Sequence, residues 1–169
     1  MRDLFPVLLL ATLPTPAAHD AAVAPRYVVD ASTFGQATGQ GLWRPTEQQA
    51  HSAEAALRRF LAGPRRNVGD APAERWNENW RNRIGQRLNQ YVLQFAGVRQ
   101  PSSNRSYETE GEGPKQIYIQ GICRESARDF AADLSNRLLS VSDGGQCIFE
   151  ARYDLLTKTI VFFSVHGVG

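Results

Sequence analysis

The chain has 169 residues, 42% of them apolar and 21% charged, with 14 glycines, 9 prolines, 2 cysteines and a formal net charge of +2. These numbers fit one ordinary globular domain and exclude a collagenous, coiled-coil or disulfide-dense scaffold. The small net charge names no partner, because it is the balance of larger local charges of opposite sign.

Met1-Arg2-Asp3, the apolar run Leu4 to Leu13 and the small residues and prolines from Pro14 to Ala18 read as a secretory signal peptide over residues 1–24. Cleavage sites fit after Ala17, Ala22 or Ala24. The run is too short for a bilayer, which takes about 20 apolar residues, and no cysteine stands here to carry a lipid. The expected mature chain of about 145 residues is long enough for one core and contains no membrane span. The expected location is periplasmic or secreted. In such a compartment Cys123 and Cys147 are expected to pair in a disulfide, with two buried thiols as the alternative. Neither has a second Cys or His at ligand spacing, so no metal site is expected.

Residues 25–45, with Gly35, Gly39 and Gly41 among polar neighbours, read as an irregular arm, ordered where Tyr27 or Trp43 docks. A helix follows. Thr46 and Gln49 have capping-box spacing, Gly63-Pro64 closes the run, and Ala50, Ala53, Leu57, Phe60 and Leu61 form one apolar stripe. After a loop to Arg75, Trp76, Trp80, Ile84 and Leu88 recur every four residues, the pattern of a short helix broken at Gly85. From Leu88 to Val98 the period becomes two, which predicts a strand partly covered on both faces.

The polar stretch from Arg99 to Pro114 is longer than a hairpin loop and so mobile or functional. Lys115 to Cys123 returns to strand character. Between 124 and 136, Ala127, Phe130, Ala131 and Leu134 fit a helical face. A short strand is predicted from Leu138 to Val141, a hairpin turn at Asp143-Gly144-Gly145, and a strand from Gln146 to Tyr153. The last strand, Thr159 to Val165, follows a turn at 154–157. The sum is a single α+β domain over 46–169, with an N-terminal helix packed on an antiparallel four- or five-stranded meander.

No phosphate loop, nucleophile elbow, metal-binding His pair or calcium loop is present, so no catalytic residue, cofactor or metal is assigned. His166 with a nearby carboxylate, or with a free thiol, is the arrangement closest to a hydrolytic or thiol enzyme. Glu150 and Asp154 would lie about 13 Å apart on a strand, wider than either glycosidase spacing. Residues 58–105 hold ten arginines against three acids, while residues 106–154 hold nine acids against five bases. Arg81 and Arg83 beside Trp76 and Trp80 suggest an anionic-polymer surface. Nucleic acid is a poor partner for an exported protein, and opposed charge between two halves of one fold explains the segregation as well.

Ile160 to Phe163 places apolar side chains on both faces of a strand expected at the sheet edge, so either the N-terminal arm covers it or a partner does, with Ile160 and Phe162 as candidate contacts for that partner. A homo-oligomer through the same strand is compatible with the pattern. The segments Lys115 to Cys123 and Val141 to Asp154, with Asp143-Gly144-Gly145-Gln146-Cys147 inside the second, and His166-Gly167 at the close, resemble an uncharacterised family of small exported proteobacterial proteins. That resemblance implies a periplasmic or secreted domain and supplies no activity. The strand order is also similar to that of a cystatin-like curved sheet around a helix. The expected function is a non-enzymatic binding or inhibitor-like domain, in contact through the last strand and the 99–114 loop. The alternatives are a small envelope hydrolase or thiol enzyme and an anionic-polymer binder.

Overall fold

Residues 25–29, 43–65, 72–99, 113–139 and 144–167 are described by the computed structural model. The expected signal peptide, most of the arm, the 100–112 part of the polar loop and the segment Ser140 to Asp143 lie outside the described residues.

Thr46 starts α1 (Glu47–Ala62) as its spacing predicts: its side chain accepts from the Gln49 N–H, and the Gln49 side chain accepts from the Thr46 N–H. Helix α2 (Pro72–Gln86) opens on proline, whose missing N–H costs nothing at a first helical position. The helix runs through Gly85 instead of breaking there. The absent side chain admits α1, since a Cβ on Gly85 would meet the Leu61 Cβ at 3.0 Å.

Arg81 locks the two helices together. Its guanidinium donates to the carbonyls of Phe60, Leu61, Gly63 and Pro64 at the end of α1 and pairs with Glu78 at 2.8 Å. Phe60 and Leu61 hold two of the last carbonyls that a helix C-terminus leaves without an intrahelical donor, and Gly63 and Pro64 lie just beyond it.

A 3-10 turn at Leu88–Gln90 leads into β2 (Tyr91–Arg99), which pairs antiparallel with β3 (Lys115–Cys123) over its whole length. Strands β4 (Ile148–Asp154) and β5 (Ile160–Val165) continue the antiparallel ladder. The arm departs from the expected irregularity: Arg26–Val28 forms β1, parallel to β2, in a five-stranded sheet of order β1-β2-β3-β4-β5. The fold is α+β with a mixed sheet, and its first element is a strand. A parallel neighbour needs a crossover, and the span between β1 and β2 contains α1 and α2.

Both helices lie on one face, where Ala50, Ala53, Leu57 and Leu61 pack with Leu93, Phe95, Ile119 and Phe149. Trp43 docks there too. It bridges Gly97, where a Cβ would collide with the indole.

The opposite face is partly covered by residues 124–139. Helix α3 spans only Arg124–Arg128, and the turns beyond it leave Phe130 42% exposed, so Phe130 is not on a buried helical face. Leu138 and Leu139 are buried but belong to no strand. Buried amides secure this cover: Gln94 Nε2 donates to the Leu134 and Arg137 carbonyls, and Gln120 Nε2 to that of Leu139. Gly144-Gly145 does not turn a hairpin; Gly145, at φ 51°, begins a 3-10 turn into β4. Cys123 and Cys147 are disulfide-bonded, tying the end of β3 to that turn across a separation of 24 residues. Chain-entropy arguments assign such a loop about 3–4 kcal/mol.

Candidate functional site

The outer strand β5 gathers the most unusual chemistry of the described surface. His166 donates its backbone N–H inward to Ile148, and Val165 donates outward to Asn77 Oδ1 of α2 at 2.8 Å. Antiparallel alternation therefore turns the N–H and C=O of Phe163 outward as well. A bulge between Arg152 and Tyr153 inserts Val161, which stands 50% exposed beside it. Asn77 thus closes one end of the edge, and the stretch from Val161 to Phe163 is the accessible part. Bulges and short length are the usual protection of an edge against unwanted pairing.

The two flanks of this strand differ. On the helix side Phe163 packs against Phe60 and Phe149, with ring centroids 5.4 and 5.8 Å apart. Both faces of the strand read as apolar because one flank is buried in this way. On the other side Phe162 lies beneath the Arg152 guanidinium, 5.3 Å from the ring centre. Ile160 lines a cleft of about 280 Å³ between α1 and the β4–β5 turn, together with Ala56, Arg59, Phe60, Lys158 and Thr159.

Next to Phe162, Glu150 Oε1 meets His166 Nε2 at 2.9 Å. Burial, then the charge and the hydrogen bond of Glu150, push the Tyr118 phenol well above its usual range. Burial lowers the Arg152 guanidinium, while Tyr118 and Glu150 oppose that shift. Three strand positions and the residue just after β5 thus converge on the sheet face away from the helices. The carboxylate orients the imidazole through Nε2, which leaves Nδ1 available as a base or a donor. Asp154, at the far end of β4, instead caps the following turn, and bonds from Thr157 and Leu156 hold its carboxyl below the usual range against burial.

The other candidates separate. Arg81 is 1% exposed and committed to the end of α1, so it presents no charge to a ligand. Arg83 is exposed and stacks over Trp80 at 4.9 Å. Trp76 and Trp80 pack edge to face at 5.6 Å and are half-buried against the helix-side core. Of the remaining arginines, Arg58 pairs with Glu54, Arg65 donates to Asn79 and Arg99 to the Gly113 carbonyl. Arg66, Arg105 and most of the polar loop lie outside the described residues. The disulfide removes both thiols from nucleophilic chemistry, so no thiol–imidazole pair forms. Among the described residues no three His, Cys, Asp or Glu side chains come together as a metal site, and no helix is long and apolar enough to cross a membrane.

Asn77, Arg59 and Lys158 carry no motif that marks them in the sequence. Comparison with protein-family models, curated proteins and solved structures gave no match.

Proposed function

We propose that the chain is an exported, non-enzymatic binding domain of the periplasm or extracellular space, which takes a partner protein at edge strand β5. The observation that carries this reading is the outward-facing backbone of Phe163 beside exposed Val161, on a strand that, among the described residues, is capped only at its far end, by Asn77. An open edge with apolar flanks is suited to strand addition, in which main-chain hydrogen bonds supply affinity and side chains supply selectivity. The signal-like N-terminus and the Cys123–Cys147 bridge support export.

The test is retention of an envelope protein by the mature wild-type domain and its loss with Val161→Pro, a substitution that an edge bulge tolerates. Slowed amide exchange at Phe163 in the complex is the accompanying signature. Retention that ignores Val161, with no change at Phe163, sinks the edge reading.

The Glu150–His166 pair supports a second reading, a small envelope hydrolase with His166 as base. Ester or amide hydrolysis that disappears in His166→Ala, with the urea midpoint unchanged, is the result that would favour it.

A further inference from the structure

We infer that the edge of β5 captures the free C-terminus of its partner, bound antiparallel, with the terminal carboxylate in the Arg59–Lys158 cleft. This rests on the strand-addition reading above and specifies the ligand chemistry of that site.

The argument begins with the shortness of the edge. Asn77 occupies the Val165 N–H, so an added strand has the Phe163 groups and the bulged stretch before them. So few main-chain bonds make a weak site unless another group contributes. The cleft at Ile160, the first residue of β5, is where such a group is found. It combines apolar walls, Phe60, Ala56 and Ile160, with two cations, Arg59 and Lys158, and the Thr159 hydroxyl; none of its lining residues is acidic. Neither Arg59 nor Lys158 is in an ion pair among the described residues, and both side chains belong to exposed residues. The nearest carboxylate in sequence, Asp154, accepts the Leu156 and Thr157 N–H groups and is held in the turn.

The direction of the partner follows from charge. A segment running antiparallel to β5 ends beside the start of β5, at the cleft. A parallel segment would place its beginning there, and an N-terminal ammonium against two cations is repelled. The residue that exchanges hydrogen bonds with Phe163 stands two or three positions before the terminus, since about 3.3 Å per residue spans the distance back to Ile160. The ligand class is therefore a protein C-terminus with an apolar final side chain and an extended approach.

The experiment selects random decapeptides displayed with free C-termini on the immobilised mature domain, then synthesises the enriched sequence as acid and as C-terminal amide. The acid is expected to bind at least tenfold more tightly than the amide. Arg59→Gln with Lys158→Gln should abolish that difference while leaving amide-level binding. Val161→Pro should abolish both, with Val161→Glu as the substitute if the proline variant does not fold. Equal binding of acid and amide, with continued dependence on Val161 and slowed exchange at Phe163, overturns carboxylate capture and leaves the edge reading standing. Failure to enrich any peptide that needs Val161 overturns both. Self-association of the domain that is broken by the Val161 variants assigns the edge to a second copy and overturns the C-terminal ligand.

Discussion

Arg81→Met is the substitution that best separates a structural arginine from a ligand-binding one. Methionine retains most of the aliphatic volume and removes the guanidinium, so the cost is polar more than cavity. Arg81 and Glu78 have side chains only 2% exposed each, and the same guanidinium serves four carbonyls at the end of α1. Removing one partner of a buried pair costs about 3–5 kcal/mol. Summing a charged hydrogen bond for every contact would overshoot, because the contacts share one group. Against a domain stability of about 5–15 kcal/mol, the variant should lose about a fifth or more of its margin. Urea unfolding followed by circular dichroism on the oxidised protein should give a lower midpoint at unchanged m-value. Arg81→Met combined with Glu78→Leu should recover part of the loss, because no carboxylate is then buried without the guanidinium. Recovery stays incomplete while the α1 carbonyls lack their donor. A loss below about 1 kcal/mol, the scale of an exposed ion pair, would refute the reasoning and return Arg81 to the candidate ligand set.

Replacing Cys123 and Cys147 by serine should cost about 3–4 kcal/mol in urea, and a reductant should lower the wild-type midpoint to a similar degree; equal midpoints would show that the bridge adds nothing. Tyr118 should remain protonated well past the pH at which free tyrosine titrates, near 10, as read from the phenolate absorbance lost in Tyr118→Phe. Since its folded pKa is raised, its contribution is complete below about pH 10 and is lost as pH climbs through the folded value; ionisation with free tyrosine would contradict the burial argument. Asn77→Ala should uncover the Val165 N–H, cost about 1 kcal/mol and extend the open edge. Exchange at the Val165 amide should quicken, and an unchanged rate would mean that Asn77 is not its cap.

The parts legible in the sequence were those fixed by near neighbours. Thr46, Gln49 and Gly63 mark α1 because each cap is a bond between residues a few positions apart. The change of period near Leu88 marks the first long strand because two covered faces demand apolar residues at both parities. The export reading suggested the cysteine pair before geometry brought the two α-carbons to 4.8 Å. Strand β1 escaped because three residues carry no period, and parallel pairing with β2 is a property of the sheet, not of Tyr27-Val28. Arg81 escaped for a different reason: local charge counts place every arginine at the surface, whereas the end of α1 needed a multiply forked donor, which Glu78 three residues earlier helps to neutralise.

The site divides along the same line. Ile160 and Phe162 were legible as apolar residues on a final strand, but their surroundings were not. Pairing β5 with β4 through the bulge sets Phe162 under Arg152, places Ile160 in the cleft with Arg59, and brings His166 across sixteen positions of sequence to Glu150. A shift of one residue in that register would turn the alternating side chains to the opposite face. The bulge that admits Val161 therefore has two effects: it weakens β5 as a template for indiscriminate pairing, and it shifts the register so that Ile160 stands opposite Tyr153 and lines the cleft. The ends of that short edge are chemically unlike: an amide cap at Val165 and a cationic apolar cleft at Ile160.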